Sequence, residues 1–397
     1  MKAAIIGASS ESLHTIRKAK EYNLTVVALD GNEQAEGLAE ADEARVVNIS
    51  KEEETIECIK KEQADFVLTV PIGRYLTTVG SVNDILKLPG IGKKQAMYCT
   101  DKLLFHHIMK ENELRNCECY EAAVEKEERQ ELFQKIKKKE LPLQLPAILK
   151  PRFGSGSRGI HFVNDMLELA DGLEQTSGES YVLEECMAGE EYGLDGAVID
   201  GKFYLVLLRH KKNTPPPARQ AVAYFSVMQE DEFYVQVKDF MEKTIKVLKL
   251  EECLLHADLI RAKEGPFIIE MSARPSGHNL HNLFTPLCTG VDMAEQYIRH
   301  RMGMESSFAP KETKMMMIHY FDMEGQVLAI PKKEQVEKAL GEKIVVWQCN
   351  IKEGDVLSKV SDGHSLMGRG HFVLEGESEI ELKEKAEKIK EMFAVLY

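Results

Sequence analysis

No apolar run in this chain approaches the roughly 20 residues that a bilayer demands. The longest, such as Ile344 to Trp347 and Leu205 to Leu208, are short, which excludes a membrane span. The start, "MKAAIIGASS", has neither a basic leader nor a signal-peptide core, so a cytoplasmic location is expected. Eight cysteines occur, but no CxxC pair and no repeated ligand spacing, so the expectation is reduced, packed thiols without a disulfide framework or zinc site. An excess of basic charge is also missing. The net charge of -14 opposes binding to nucleic acid, whose affinity comes largely from neutralised phosphates, and the basic islands at 135–139 and 209–212 are too local to reverse it. Two glycine signatures are absent as well. "GASSES" after the first apolar segment supplies one glycine where a dinucleotide fold needs G-x-G-x-x-G, and no G-x-x-x-x-G-K-[ST] P-loop occurs.

What is present is a chain of 397 residues, long enough for two to four domains with large cores. Its first hundred residues alternate strand and helix. "KAAIIG" reads as a buried strand, Leu13, Ile16 and Ala19 recur at helical spacing, and "LTVVALD" is a second strand ending at Asp30. "ARVVNI", a helical "EETIECIKK" and "ADFVLTV" continue the pattern, which predicts a doubly wound parallel sheet.

Beyond residue 100 the texture changes. "TDKLLFHHIMKENEL" predicts a helix starting near Thr100 or Asp101, and the charged stretch 125–140 predicts a solvated one. A strand "LPAILK" precedes the glycine loop, and "SYVLEECMAGEEYGLDGAVIDGKFYLVLLRHKK" alternates strands and turns with "DGK" as a hairpin signal. Val237, Phe240, Met241, Ile245 and Leu248 form one helical core stripe, and a terminal helix carries Leu382, Ala386, Ile389, Phe393 and Leu396 on one face.

Two stretches carry chemistry. In "LKPRFGSGSRGI", Lys150 closes an apolar strand and three glycines follow, so backbone N–H groups can turn toward an anion; a flexible hairpin tip is the bland alternative. In the hairpin 253–274, alternation puts His256 and Asp258 on one face of the first strand, and Glu270, Ser272 and Arg274 on one face of the second. Two carboxylates side by side among Leu254, Leu255, Ile268 and Ile269 repel each other unless a cation joins them, and Mg2+ suits that need; a wet amphipathic hairpin is the alternative.

These segments resemble a known family. "DK" at 101–102, "LKPRFGSGSRG" at 149–159, "LEECMAGEE" at 183–191, "HADL" at 256–259 and "EMSARP" at 270–275 stand in the order seen in ATP-grasp enzymes such as biotin carboxylase, purine-pathway ligases and amino-acid ligases. The resemblance implies an α/β and α+β chain: an amino-terminal doubly wound domain over 1–98, an ATP-grasp domain over 99–305 with a lid at about 118–187, and a small carboxy-terminal domain over 306–397. It implies ATP and Mg2+, with Mn2+ as a substitute, and an ADP-forming carboxylate–amine ligase working through an acylphosphate on small-molecule substrates, often as a homodimer. By the same resemblance Lys102 and Lys150 contact the phosphates, and Gly154, Ser155, Gly156, Ser157 and Gly159 form the lid loop. Glu184 meets the adenine amino group, the backbone of Glu185, Cys186 and Met187 lies beside the base, and Glu191 holds the ribose. Asp258 and Glu270 are the metal carboxylates, with Ser272 standing where many members have asparagine, so that water is the alternative third ligand. Arg274 stabilises the acylphosphate, completing a catalytic set of Arg274, Lys150 and His278. For the substrate, Arg209 in the cationic loop "RHKKNTPPPARQ", Arg274, His278 and His281 suit a carboxylate, and His278 or His281 suits a general base; a solvated loop and structural histidines are the alternatives.

Overall fold

A computed structural model describes residues 1–154, 159–176, 178–215, 219–360 and 363–396. The first apolar strand, Lys2–Ile6, sits inside a four-stranded parallel sheet in the order Glu43–Val46, Thr25–Asp30, Lys2–Ile6, Phe66–Val67. Ala3 to Ile6 and Val26 to Leu29 are fully buried, as parallel strands covered on both faces require. Gly7, at φ +93°, turns the chain out of the first strand. The Asp30 carboxylate there accepts the N–H groups of Ala8 (2.7 Å) and Asn32 (2.8 Å). It is spent on its own loops, which agrees with the missing glycines in arguing against a dinucleotide site.

The next units are antiparallel. A four-stranded sheet in the order Cys119–Ala122, Tyr181–Glu185, Ala147–Pro151, His161–Val163 is backed by the helices Lys126–Lys137 and Met166–Gln175, which bury Leu132, Ile136, Leu169 and Leu173 against Leu149 and Leu183. An eight-stranded sheet follows, in the order Gly265–Ser272, Cys253–Ala262, Glu190–Ile199, Lys202–Asn213, Ala221–Ser226, Met316–Tyr320, Gly370–Glu375, Val346–Cys349. Asp200 and Gly201, at φ 51° and 72°, make the tight turn that "DGK" predicted, a pair of positive φ values that suits the twist of a hairpin. The helix Glu232–Leu248 buries Val237, Met241, Ile245 and Leu248 as expected, with Phe240 at the margin of that core.

Three strands from beyond residue 306 extend the eight-stranded sheet, and the remainder form a small sheet in the order Val356–Leu357, Gly325–Ala329, Ala394–Leu396. Leu396 departs from the expected helical stripe. The terminal helix ends at Glu391, and Leu396 lies 59% exposed in a strand pairing with Gln326. "RHKKN" differs too: it is the end of strand Lys202–Asn213 and not a loop. All eight cysteines are free thiols.

Candidate active site

The hairpin Cys253–Ala262/Gly265–Ser272 sets the floor of a cleft. Its register pairs Asp258 directly with Glu270 and His256 with Ser272, so both carboxylates stand on neighbouring strands at one level. Each has a lysine. Lys211 Nζ lies 2.7 Å from Asp258 Oδ1, and Lys102 Nζ lies 3.8 Å from Glu270 Oε2. Burial opposes charge on Lys211 and Asp258, but their mutual attraction outweighs it, holding the Lys211 pKa up and the Asp258 pKa down. His256 beside them is pushed down by burial, which favours its neutral form. Gly193 makes room for this pair, since a Cβ there would lie 3.3 Å from Lys211 Cε and 3.5 Å from Asp258 Oδ1.

The four-stranded antiparallel sheet forms the roof. Lys150 Nζ donates to Glu184 Oε1 (3.1 Å), while Arg115 Nη2 lies 3.2 Å from Glu184 Oε2, and all three side chains are buried. Burial raises the cost of the Glu184 charge, yet Arg115 and Lys150 together keep its pKa below the ordinary carboxylate value. Arg115 also donates to Ile268 O (3.0 Å) and lies over the Phe267 ring at 4.4 Å, tying roof to floor. Lys102 donates to Gly154 O (2.8 Å) at the start of the glycine loop, and burial pulls its pKa down. Asp101 caps the helix Lys102–Glu111 through Leu103 and Leu104 N–H and holds Arg152 in a two-pronged ion pair at 2.8 and 2.6 Å. Gly154 and Gly159 both have positive φ (155° and 68°); Ser155, Gly156 and Ser157 lie outside the described residues.

Glu185, Cys186, Met187 and Glu191 line the same space. Glu185 accepts the N–H groups of Glu118 (3.0 Å) and Gln144 (2.7 Å), Cys186 N–H donates to Pro146 O (2.9 Å), and Met187 packs with Ile260 and Phe267. Glu191 is paired with Arg219. The cleft measures about 650 Å³, and its walls include Lys102, Lys150, Glu184, Asp258, Glu270 and Arg274. That is the size range of cofactor-sized pockets.

Arg274 is half-buried on the wall and donates to Pro275 O (2.7 Å). Ser272 is half-buried two residues along the same strand from Glu270, across from His256. His278, at φ +61°, borders the cleft with its N–H on Glu11 Oε1 (2.8 Å); its ring packs so closely on Gly363 that a Cβ there would fall 2.4 Å from ring Cε1. Two expected substrate residues are elsewhere. Arg209 is fully buried behind the cleft in an ion pair with Asp195, which also accepts from Thr285 (2.7 Å); it shares a strand face with Lys211, but these two partners close it off. His281 is fully buried against Ser276 O, so neither residue lines the cleft.

Sequence reading missed Arg115, Lys211, Arg219 and Glu11. Lys211 and Arg219 fall in the cationic stretch that drew attention to Arg209, whereas Arg115 gave no local signal. A further trio also escaped: His106, Cys119 and Glu184 offer ligand atoms within 4.8 Å of one another. They suit a metal poorly. Two cations already hold Glu184, and burial pushes the Cys119 thiol up to about 12, away from the thiolate a metal needs.

Residues 143–281 match the ATP-grasp domain family. Over that stretch the chain is similar to an ATP-grasp domain. The whole chain superimposes on the L-amino acid ligase of Bacillus licheniformis with a TM-score of 0.79 at 16% identity, covering 100% of this chain and 98% of that one. It also matches the biotin carboxylase domain of a 2-oxoglutarate carboxylase from Hydrogenobacter thermophilus, a dimer solved with ADP, MgADP and bicarbonate (TM-score 0.68, 16% identity, 100% of this chain and 90% of that one). At such identities the likeness shows the fold. Dapdiamide A synthase of Enterobacter agglomerans is 21% identical over 145 residues, 33% of this chain and 34% of that protein. The chain spans about a third of the length of the curated relatives it matches, 36% and 34%.

Proposed function

We propose that this protein is an ADP-forming, ATP-dependent carboxylate–amine ligase, with an amino acid as the activated carboxylate. One observation carries the reading: the opposed pair Asp258 and Glu270, the lysines Lys102 and Lys150, and Arg274 all border a single cleft of about 650 Å³. A carboxylate repels a triphosphate, so the reaction needs cations held in place before it starts. Lys102 and Lys150 would balance the phosphates, and Arg274 the acyl group. One carboxylate oxygen attacks the γ-phosphorus as ADP leaves. The amine nitrogen then attacks the acyl carbon, phosphate departs, and His278 accepts the proton the amine gives up.

The donor set fits a divalent cation. Asp258 and Glu270 offer oxygen ligands at one level of two paired strands, and water or Ser272 can complete the shell. Such an ion supplies charge neutralisation between the phosphates and these carboxylates, and Lys211 would have to leave Asp258 to admit it. Support for ATP and Mg2+ comes from the MgADP complex of the same fold, and support for an amino acid from the L-amino acid ligase likeness. Bicarbonate as the activated acid is the alternative, favoured by the bicarbonate held in that complex.

The test is release of ADP and phosphate by purified protein with Mg·ATP, against pooled amino acids and then single pairs, with mass spectrometry of products. A new mass equal to two substrates minus water is the expected result. No ADP release with any acid and amine, or release with bicarbonate alone, would overturn it. A homodimer is proposed as well, checked by light scattering.

A further inference from the structure

The charges lining the cleft are almost fully matched. Among the described residues, Glu184, Glu191, Asp258 and Glu270 each have a lysine or arginine within 4 Å, and Glu185 accepts two backbone N–H groups. Glu179 stands exposed on the rim. Among the cations, Lys102, Lys150, Lys211 and Arg219 each have a carboxylate. Two groups remain, one of each sign. Glu11, half-buried on the short helix Ser10–Ser12, accepts a single hydrogen bond from His278 N–H and has no cation within 4 Å among the described residues. Arg274 has a hydrogen bond to Pro275 O and, among the described residues, no carboxylate within that distance.

The two are neighbours without touching. Burial pushes the Arg274 guanidinium down, and the acids opposing that are Glu270 first and Glu11 second. Gly277 keeps the wall open beside Glu11, because a Cβ there would fall 3.2 Å from Oε1 and 3.6 Å from Oε2. Glu11 thus reaches the cleft from the amino-terminal unit, together with Ser9, Pro71 and Gly73, at the end where Arg274 and His278 stand. An unmatched half-buried carboxylate is costly unless a ligand completes it. A ligand that matches both groups carries a positive charge near a negative one.

We infer that Glu11 and Arg274 are the two poles of a zwitterion site: Arg274 receives the carboxylate that is activated, and Glu11 holds the ammonium of the same free amino acid. This rests on the ligase reading and names the feature by which the acid is chosen. The ammonium stays protonated and takes no part in bond making. Acids lacking it, such as α-hydroxy and N-acetyl analogues, leave Glu11 unmatched and are rejected.

The experiment compares wild type, Glu11→Gln and Glu11→Asp with an amino acid that wild type turns over, its α-hydroxy analogue and its N-acetyl form. Gln keeps an oxygen for the His278 N–H, so the wall should be retained. The expected result is a loss of about 10- to 100-fold in kcat/KM for the amino acid with Glu11→Gln, with KM for ATP unchanged, the size of one charge-assisted hydrogen bond. The preference over the hydroxy analogue should shrink by a similar factor, which a merely structural role would not produce, and Asp should recover part of it. If wild type forms product but Glu11→Gln keeps both its amino-acid KM and its preference, this inference falls and the ligase reading stands. If wild type releases ADP with no amino acid, both fall together.

Discussion

Replacing Arg115 with Met tests the electrostatics of the roof. Arg115 is 2% exposed and Glu184 4%, so the change leaves a buried carboxylate with Lys150 as its one remaining cation at 3.1 Å. Removing one partner of a buried pair costs about 3–5 kcal/mol. The lost bond to Ile268 O and the stacking on Phe267 act in the same direction. With a slope of about 2 kcal/mol per molar urea, the midpoint should fall by about 1.5–2.5 M. The deficit should also depend on pH. In wild type the Glu184 pKa is held down, so its contribution is complete above the ordinary carboxylate range and lost as pH falls through the lowered value. In the variant that pKa rises, so protonation relieves the variant earlier than wild type, and the gap at pH 7.5 should narrow toward pH 5. Function follows from the same charge. Lys150, now needed by Glu184, is less available to phosphate, and ATP should bind about tenfold more weakly by calorimetry. An unchanged urea midpoint together with unchanged ATP affinity would refute the reasoning.

Three other outcomes are expected. Arg274→Ala should abolish ligation while ATP affinity stays nearly intact; equal loss of both would make Arg274 structural. Asp258→Asn should lower Mg2+-dependent ADP release by at least about 100-fold and weaken Mn2+ binding in a direct titration, and unchanged metal binding would remove Asp258 from the site. Asp195→Asn strips the partner from fully buried Arg209 and should cost about 3–5 kcal/mol in unfolding free energy, with substrate KM unchanged in the folded protein. A raised KM at unchanged stability would return Arg209 to the substrate.

Period and spacing made much of the architecture legible. Alternation put Asp258 and Glu270 on matched faces, "DGK" marked a tight turn, and the helix stripe Val237, Met241, Ile245 and Leu248 is the one buried. Errors arose where a local pattern met a tertiary decision. Leu396 continues a helical spacing that the chain abandons after Glu391, and Arg209 belongs to a charged run in which Arg209 and Lys211 share the cleft-side face while His210 and Lys212 turn to Glu379 and Glu387 of the terminal helix. Strand alternation sends Lys211 to Asp258 while Arg209, two residues away on the same face, is closed off by Asp195 and Thr285.

By itself the amino-acid order determined the elements, because helix and strand periods are written within ten or so residues, and it determined the order of the motifs that border the cleft. Only the tertiary structure decided which charges are matched. Lys150 finds Glu184 34 residues away, Arg115 reaches Ile268 across 153, and Glu11 meets His278 across 267. Those pairings depend on how sheets stack and which side chains lose water together, and no local window contains them.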